Sequence, residues 1–168
     1  SGPYITNELF SICNPSWGLQ WVDTPCPHMT DEGFRDLKHY QQTLLTLCVN
    51  KSQITDEVVA ELATFPLLRQ VLAANTELTD QSIDYFNDFP SLISLDISDT
   101  NITQSGLTQL SQLKRLTKLQ LRNLPLTDNG LTRLSGLPLL ESDLTGTQVS
   151  NSAVQTYRDD HQNCVIRK

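Results

Sequence analysis

Apolar and polar positions recur along this chain with a period of 23 to 25 residues. The clearest marker is a triplet of an apolar residue, a hydroxyl residue and Asp, Gln or Asn, whose apolar residues stand 25, 24, 24, 24 and 23 positions apart. The six copies are Met29-Thr30-Asp31, Ile54-Thr55-Asp56, Leu78-Thr79-Asp80, Ile102-Thr103-Gln104, Leu126-Thr127-Asp128 and Val149-Ser150-Asn151. This regular spacing predicts a repeat architecture.

A segment with the period of a β-strand precedes each triplet. Apolar residues stand 10, 7 and 5 positions before it, and the last two alternate with polar residues, as in a short strand that buries one face. The sets are Leu44/Leu47/Val49, Leu68/Val71/Ala73, Leu92/Leu95/Ile97, Leu116/Leu119/Leu121 and Leu139/Ser142/Leu144, with a degenerate first set, Leu19/Val22/Thr24. We therefore expect strands centred near Leu47, Val71, Leu95, Leu119 and Asp143.

A segment with the period of a helix follows each triplet. Apolar residues recur 5 and 8 positions after it, on one helix face. The Thr or Ser of the triplet is a typical N-cap, and the following Asp suits the positive end of the helix dipole. Pro66, Pro90 and Pro138 fall where three of these helices should end. Each repeat is thus predicted to be strand, turn, capped helix and return loop, and only stacked copies bury the apolar faces.

This pattern closely resembles the leucine-rich repeat, L-x-x-L-x-L-x-x-N/C-x-L. The best copy is Leu92-Ile93-Ser94-Leu95-Asp96-Ile97-Ser98-Asp99-Thr100-Asn101-Ile102, and the resemblance covers residues 19 to about 157. The I-T-D helix start is similar to the cysteine-containing repeats of F-box ubiquitin-ligase receptors and to bacterial leucine-rich-repeat proteins. The resemblance implies an α/β fold, a right-handed solenoid with parallel strands on the concave face and helices on the convex face.

One position departs consistently from the family pattern. Where the family carries Asn or Cys, this chain has Ser52, Thr76, Thr100, Leu124 and Thr147. We expect the four hydroxyl side chains to bond the backbone of the turn that follows each strand, which Leu124 cannot do.

The chain is expected to form one domain, since domains commonly contain about 100–200 residues. Residues 1–18 are interpreted as an N-terminal cap, with a short helix around Leu9, Phe10 and Ile12 that ends at Pro15, and with Ser1-Gly2-Pro3 as a cloning remnant. Residues 19–157 form about six repeats. Residues 158–168 form a C-terminal cap with a last edge strand at Cys164-Val165-Ile166, because an open terminal repeat would expose the core.

Charge and cysteine usage narrow the function classes. The 168 residues carry a net charge of −7, which disfavours binding to nucleic acid or to anionic membranes. No apolar run approaches the ~18–20 residues of a membrane span, and no secretion signal is visible. The four cysteines, Cys13, Cys26, Cys48 and Cys164, form no CxxC pair, which argues against a zinc site. Their pattern also favours a reducing compartment, the cytoplasm or nucleus.

A search for catalytic chemistry finds no established motif. There is no phosphate-binding glycine loop and no GxSxG, and His28, His39 and His161 have no partner at dyad spacing. Asp159-Asp160-His161 is more typical of a solvated turn than of a metal site. No cation adjoins Cys48 to lower its pKa, so we interpret it as a contact residue. We therefore expect a chain without catalytic activity, metal or small-molecule cofactor.

The outward strand positions are the candidate binding surface, because in this fold they line the concave face. Trp21 and Leu72 are expected to be exposed apolar anchors, although the N-terminal cap is an alternative cover for Trp21. Lys118 and Arg122 are expected to meet an acidic group of the partner. The full candidate set is Trp21, Asp23, Thr46, Cys48, Gln70, Leu72, Ser94, Asp96, Lys118, Gln120, Arg122, Glu141 and Asp143.

The sequence thus predicts a protein–protein interaction module. The resemblance implies the recognition part of a larger assembly, such as a ubiquitin-ligase receptor. The alternatives are a bacterial effector or scaffold protein, and a regulatory domain of an enzyme whose catalytic domain lies elsewhere. Binding through the convex helices, or through the segment around Phe10 and Trp17, is the rival to the concave face.

Overall fold

A computed structural model gives the structure of residues 10, 14, 16, 18–23 and 27–168. The predicted N-terminal helix falls largely on Leu9, Ile12 and Pro15, which lie outside the described residues. Phe10 is described, and its ring packs on Phe34, 5.9 Å between ring centres. In the described part of the chain, no helix is both long enough and apolar enough to cross a membrane.

Seven short strands form one sheet in the described part of the chain. The strands follow chain order, and each pairs in parallel with the next. Strand centres at Leu47, Val71, Leu95 and Leu119 confirm the prediction, whereas the sixth centre is Ser142 rather than Asp143, because the repeat before it is one residue shorter. The strands are β1 (Trp21–Asp23), β2 (Thr46–Cys48), β3 (Gln70–Leu72), β4 (Ser94–Asp96), β5 (Lys118–Gln120), β6 (Glu141–Asp143) and β7 (Val165–Arg167).

A helix follows each of the first six strands. The helices are α1 (Asp31–Phe34), α2 (Asp56–Leu62), α3 (Asp80–Phe86), α4 (Gln104–Gln109), α5 (Asp128–Arg133) and α6 (Asn151–Asp160). Three of them continue as 3₁₀ turns, at Arg35–Tyr40, Leu110–Gln112 and Leu134–Gly136. The predicted N-caps are confirmed in α2 to α6; in α2, for example, Thr55 Oγ1 accepts the N–H of Glu57 at 3.3 Å. Parallel strands on one side and helices on the other form the predicted solenoid.

The core lies between the sheet and the helices. The middle residue of each strand points inward, and these residues are all buried: Val22, Leu47, Val71, Leu95, Leu119, Ser142 and Ile166. They belong to one continuous apolar cluster with the inner helix faces, apart from the polar Ser142. No copy has a core of its own, so each repeat depends on its neighbours for stability.

The turns after β2 to β6 share one backbone conformation. One residue per turn has a left-handed φ, between 56° and 64° at Lys51, Asn75, Asp99 and Asn123 and 77° at Gly146. The next residue is the one that departs from the family pattern. Its hydroxyl donates to the carbonyl three residues earlier, at 2.6 to 2.8 Å, for Ser52, Thr76, Thr100 and Thr147. The predicted hydroxyl bonds are thus confirmed, and Leu124 is buried in their place.

Carboxylates at the helix starts join consecutive repeats. Asp31, Asp56, Asp80 and Asp128 each accept two hydrogen bonds from the N-cap residue of the next repeat, one from its N–H and one from its hydroxyl. In the remaining case, Gln104 Oε1 accepts the Thr127 N–H at 3.0 Å. The sequence assigned these acids to the helix dipole alone. In the structure each of them also links the start of its own helix to the start of the next helix, and we call each such pair of hydrogen bonds a clasp.

A seventh strand follows the sixth repeat. The predicted edge strand at Cys164-Val165-Ile166 is found one residue later, at β7, where it pairs with β6. The guanidinium of Arg158 donates to the Ile166 carbonyl at 2.6 Å, which occupies a backbone acceptor of this edge strand. The division into caps at 1–18 and 158–168 around repeats at 19–157 stays a prediction.

Candidate partner-binding face

The outward residues of the strands form two rows on the concave face. The first residues of β1 to β6 pair in register as one row, and the third residues as another. The two rows contain twelve of the thirteen predicted site residues, and Arg122 lies two residues beyond β5. The fold thus brings the whole predicted set to one face.

Exposure differs sharply within that set. Trp21 is 74% exposed. Most of the segment that the sequence offered as its alternative cover lies outside the described residues, so burial of Trp21 by that segment stays a prediction. Leu72, which the sequence predicted to be exposed, is half-buried, and Cys48, Ser94, Asp96 and Asp143 are buried. Neighbouring strands lie ~4.8 Å apart, so a side chain in mid-row is covered by those beside it. Trp21, in the first strand, has such a neighbour from β2 alone among the described strands.

The two predicted cations already face acidic residues of the next strand. Lys118 Nζ lies 3.0 Å from Glu141 Oε2, and Arg122 Nε lies 3.9 Å from Asp143 Oδ2. Arg167 approaches the other oxygen of Glu141, also at 3.9 Å. Since these carboxylates compete with any acidic group of a partner, Lys118 and Arg122 are weaker candidates than the sequence indicated.

Two acidic residues and the cysteine on this face already interact with neighbouring groups of the protein. Asp96 Oδ1 accepts the N–H of Ser98, and Asp143 Oδ1 accepts the N–H of Thr145, both at 3.0 Å. Burial raises the pKa of the Cys48 thiol, and a hydrogen bond to the Asp23 carboxylate raises it further. The thiol is therefore protonated at neutral pH and is a poor nucleophile.

A groove crosses the concave face where the strands begin, and half of its lining lies outside the residues predicted from the sequence. This strand-start groove has a volume of about 440 Å³. Its lining alternates the first residue of each strand with the residue just before it: Gln20/Trp21, Leu45/Thr46, Arg69/Gln70, Ile93/Ser94 and Thr117/Lys118. The Ser94 Oγ is buried there without a hydrogen-bond partner among the described residues.

The residues that stand just before each strand are absent from the predicted set, because that set contains only alternate strand positions. Ile93, at 40%, and Leu140, at 55%, are among the exposed large apolar residues, and both stand nine positions before their triplets. Leu45 holds the same position in the second repeat. An apolar residue recurring there, outside the core pattern, was the available signal.

Two other features lie away from this face. A groove of about 330 Å³ between α1, its 3₁₀ extension and α2 has an apolar floor, with Arg35 and Lys38 on its lining. His161 stacks on Tyr157, and its two ring nitrogens each lie 2.9 Å from a carbonyl oxygen, of Tyr157 and of Ser135. Over the described residues, no three His, Cys, Asp or Glu side chains are grouped so as to hold a metal ion.

Comparison with known proteins supports the fold. No protein-family model matches this sequence, and no curated protein matches it. Among 167 matching chains of solved structures, an internalin from Listeria monocytogenes superposes with a TM-score of 0.61 at 19% sequence identity. The match covers 85% of this chain and 41% of the internalin chain. At that identity the likeness shows the fold alone, a leucine-rich-repeat solenoid.

Proposed function

We propose that this chain is a non-catalytic protein–protein interaction module that binds a protein partner on its concave face. The observation that carries the proposal is the exposure of Trp21, 74%, beside the strand-start groove. A tryptophan held in water gains most of its possible burial energy only when a partner covers it. Such residues are enriched among those that dominate interface affinity.

The surroundings of Trp21 also suit a partner of protein size. The half-buried Leu72 and the exposed Ile93 add apolar area on the same face. Polar side chains such as Thr46 and Gln70 stand between them. An apolar centre with polar groups around it is the usual composition of an interface.

A binding role is further supported by how the reactive groups of this face are occupied. The carboxylates of Asp96 and Asp143 accept turn N–H groups, and the Cys48 thiol has a raised pKa. These groups serve the sheet and its turns, so a substrate would find no activated acid, base or nucleophile in them.

The finer form of the proposal is the recognition part of a larger assembly, such as a ubiquitin-ligase receptor, acting in the cytoplasm or nucleus. Its support is the I-T-D repeat pattern, together with Cys48 and Cys164, which are free and buried. A bacterial effector or scaffold, and a regulatory domain of an enzyme, are the alternatives. All three would use the same concave face.

The test is capture of partners by the full-length protein, with mass spectrometry, followed by binding measurements on variants. Trp21→Ala should weaken the identified complex by more than ~2 kcal/mol, about thirtyfold, because it removes an anchor that the partner would bury. Leu67→Ala is the matched control, since Leu67 is exposed but does not line the strand-start groove. A partner that binds Trp21→Ala as tightly as the native protein would refute the concave-face proposal.

A further inference from the structure

We propose that the strand-start groove recognises an extended peptide segment of the partner in which an acidic residue has apolar residues near it, with Arg69 binding the acid. The inference rests on the proposed function and names the chemistry of the partner. It moves acid recognition from Lys118 and Arg122, where the sequence placed it, to a different residue.

Arg69 is the cation of the groove that the fold leaves available. Its side chain is exposed, and its guanidinium has no hydrogen bond or ion pair to any described residue. Lys118, which also lines the groove, already faces Glu141 at 3.0 Å. A guanidinium can bind a carboxylate through two parallel hydrogen bonds, so Arg69 fits an acidic side chain in both charge and geometry.

Apolar side chains stand on both sides of Arg69. Because the strands pair in register, the residues that precede β2, β3 and β4 follow one another along the groove as Leu45, Arg69 and Ile93. Trp21 stands at the β1 end. The complementary ligand therefore carries an acidic residue between apolar ones.

The backbone N–H groups along the groove already donate hydrogen bonds to carbonyls of the neighbouring repeat. The N–H groups of Leu45 and Thr46 both donate to the Gln20 carbonyl, and those of Arg69 and Gln70 both donate to the Leu45 carbonyl. The same pairing recurs at Ile93 and Thr117. A ligand therefore cannot pair with these N–H groups in the way that an added β-strand would. It must be recognised through side chains, which makes binding depend on its sequence.

The size of the groove suits a short extended segment. Five strand starts at ~4.8 Å spacing span about 19 Å, the length of roughly six extended residues. The volume of about 440 Å³ accommodates a few apolar side chains. The side chains of Thr46 and Gln70 form no hydrogen bond with the described residues, so they are available to the backbone of the segment.

The experiment selects phage-displayed random dodecapeptides on the whole chain and on two variants. The native protein should enrich peptides with Asp or Glu between apolar residues. Arg69→Glu should lose that preference and favour Lys or Arg at the same place. Lys38→Glu reverses a charge in the groove between α1 and α2, away from the concave face, and should select the same peptides as the native protein. Circular dichroism checks that each variant is folded.

One selected peptide then gives a charge-swap test. Replacing its acidic residue by lysine should weaken binding to the native protein about tenfold or more, and Arg69→Glu should restore that binding. No enriched peptide, no acidic preference, or a preference that survives Arg69→Glu would each overturn the inference.

The same peptides separate this inference from the proposed function. Peptides that lose affinity on Trp21→Ala but show no acidic preference would refute the role of Arg69 and leave the concave site standing. If their binding were instead unchanged by both Trp21→Ala and Leu72→Ala, the concave face itself would be wrong.

Discussion

The ammonium group of Lys118 lies 3.0 Å from the carboxylate of Glu141, across the contact between β5 and β6. The two residues are direct neighbours in register. Both are part-exposed, and such pairs typically contribute ~0.2–1 kcal/mol. The pair therefore matters less for stability than for specificity, because it occupies a cation that the sequence had assigned to a partner.

Reversing both cations should destabilise the native fold modestly. In Lys118→Glu with Arg122→Glu, each new carboxylate faces Glu141 or Asp143. Like charges on neighbouring strands repel, so the free energy of unfolding should fall by about 1 kcal/mol at low salt. The loss should shrink at ~0.5 M salt, where screening is strong. Urea melts at the two salt concentrations measure it, and a loss independent of salt would contradict the ion-pair assignment.

Leu95 and Ser94 should respond very differently to alanine. Leu95 is fully buried in a central repeat, so Leu95→Ala should lower the free energy of unfolding by ~2–5 kcal/mol. Ser94 points to the concave face, and its buried hydroxyl has no partner among the described residues. Ser94→Ala should therefore cost ~0.5 kcal/mol or less, or stabilise slightly. Equal losses in urea melts would show that the strand register is wrong.

The clasp between α5 and the last repeat should be visible in a titration. Hydrogen bonds from the N–H and hydroxyl of Ser150 hold the pKa of Asp128 below its ordinary value of 3.8. Ser150→Ala removes the hydroxyl bond and should raise that pKa toward the ordinary value. Carbon-13 NMR of the carboxylate measures the change, and a pKa unaffected by the substitution would contradict the assignment.

The same pKa shift fixes the pH range in which this clasp stabilises the fold. The pKa is lower in the folded than in the unfolded chain, so the stabilisation is fully present above 3.8 and is lost as the pH falls through the folded value. Ser150→Ala should therefore reduce the difference in stability between neutral and strongly acidic pH, as urea melts at both pH values would show.

Cys48 should be slow to react with thiol reagents. Burial and the Asp23 carboxylate both raise the pKa of its thiol. In a chain whose other three cysteines are replaced by serine, alkylation at neutral pH should be slower than for an unfolded control peptide. Asp23→Asn should lower the thiol pKa and speed the reaction. Equal rates in the native and Asp23→Asn chains would show that Asp23 does not act on Cys48.

The sequence predicted the fold well because repetition made each signal appear several times. Leu47, Val71, Leu95 and Leu119 mark the same core position, so one ambiguous copy could not shift the register. The threonine caps were predictable for a similar reason. A cap depends on atoms two or three residues away, which the local sequence contains.

The site was predicted only as a face, because its details depend on contacts between repeats. Whether Leu72 or Ser94 is exposed is set by side chains about 24 residues away, on the neighbouring strands. The pairing of Lys118 with Glu141 joins residues 23 positions apart and needs the strand register as well as the charges. Arg69 was missed because it stands just outside a strand of only three residues, where alternation no longer defines a face.

The clasps between helix starts bear on how such a chain can change in length. Removing Asp56 through Thr79 would join Thr55 directly to Asp80, which restores the Thr-Asp pair that was cut. Thr55 would still donate to Asp31, and Asp80 would still accept from Thr103. The solenoid can therefore gain or lose whole repeats, and each repeat changes the width of the concave face by one strand, ~4.8 Å. Duplication or loss of one repeat would thus change the width of this face while the hydrogen bonds between the helix starts are kept.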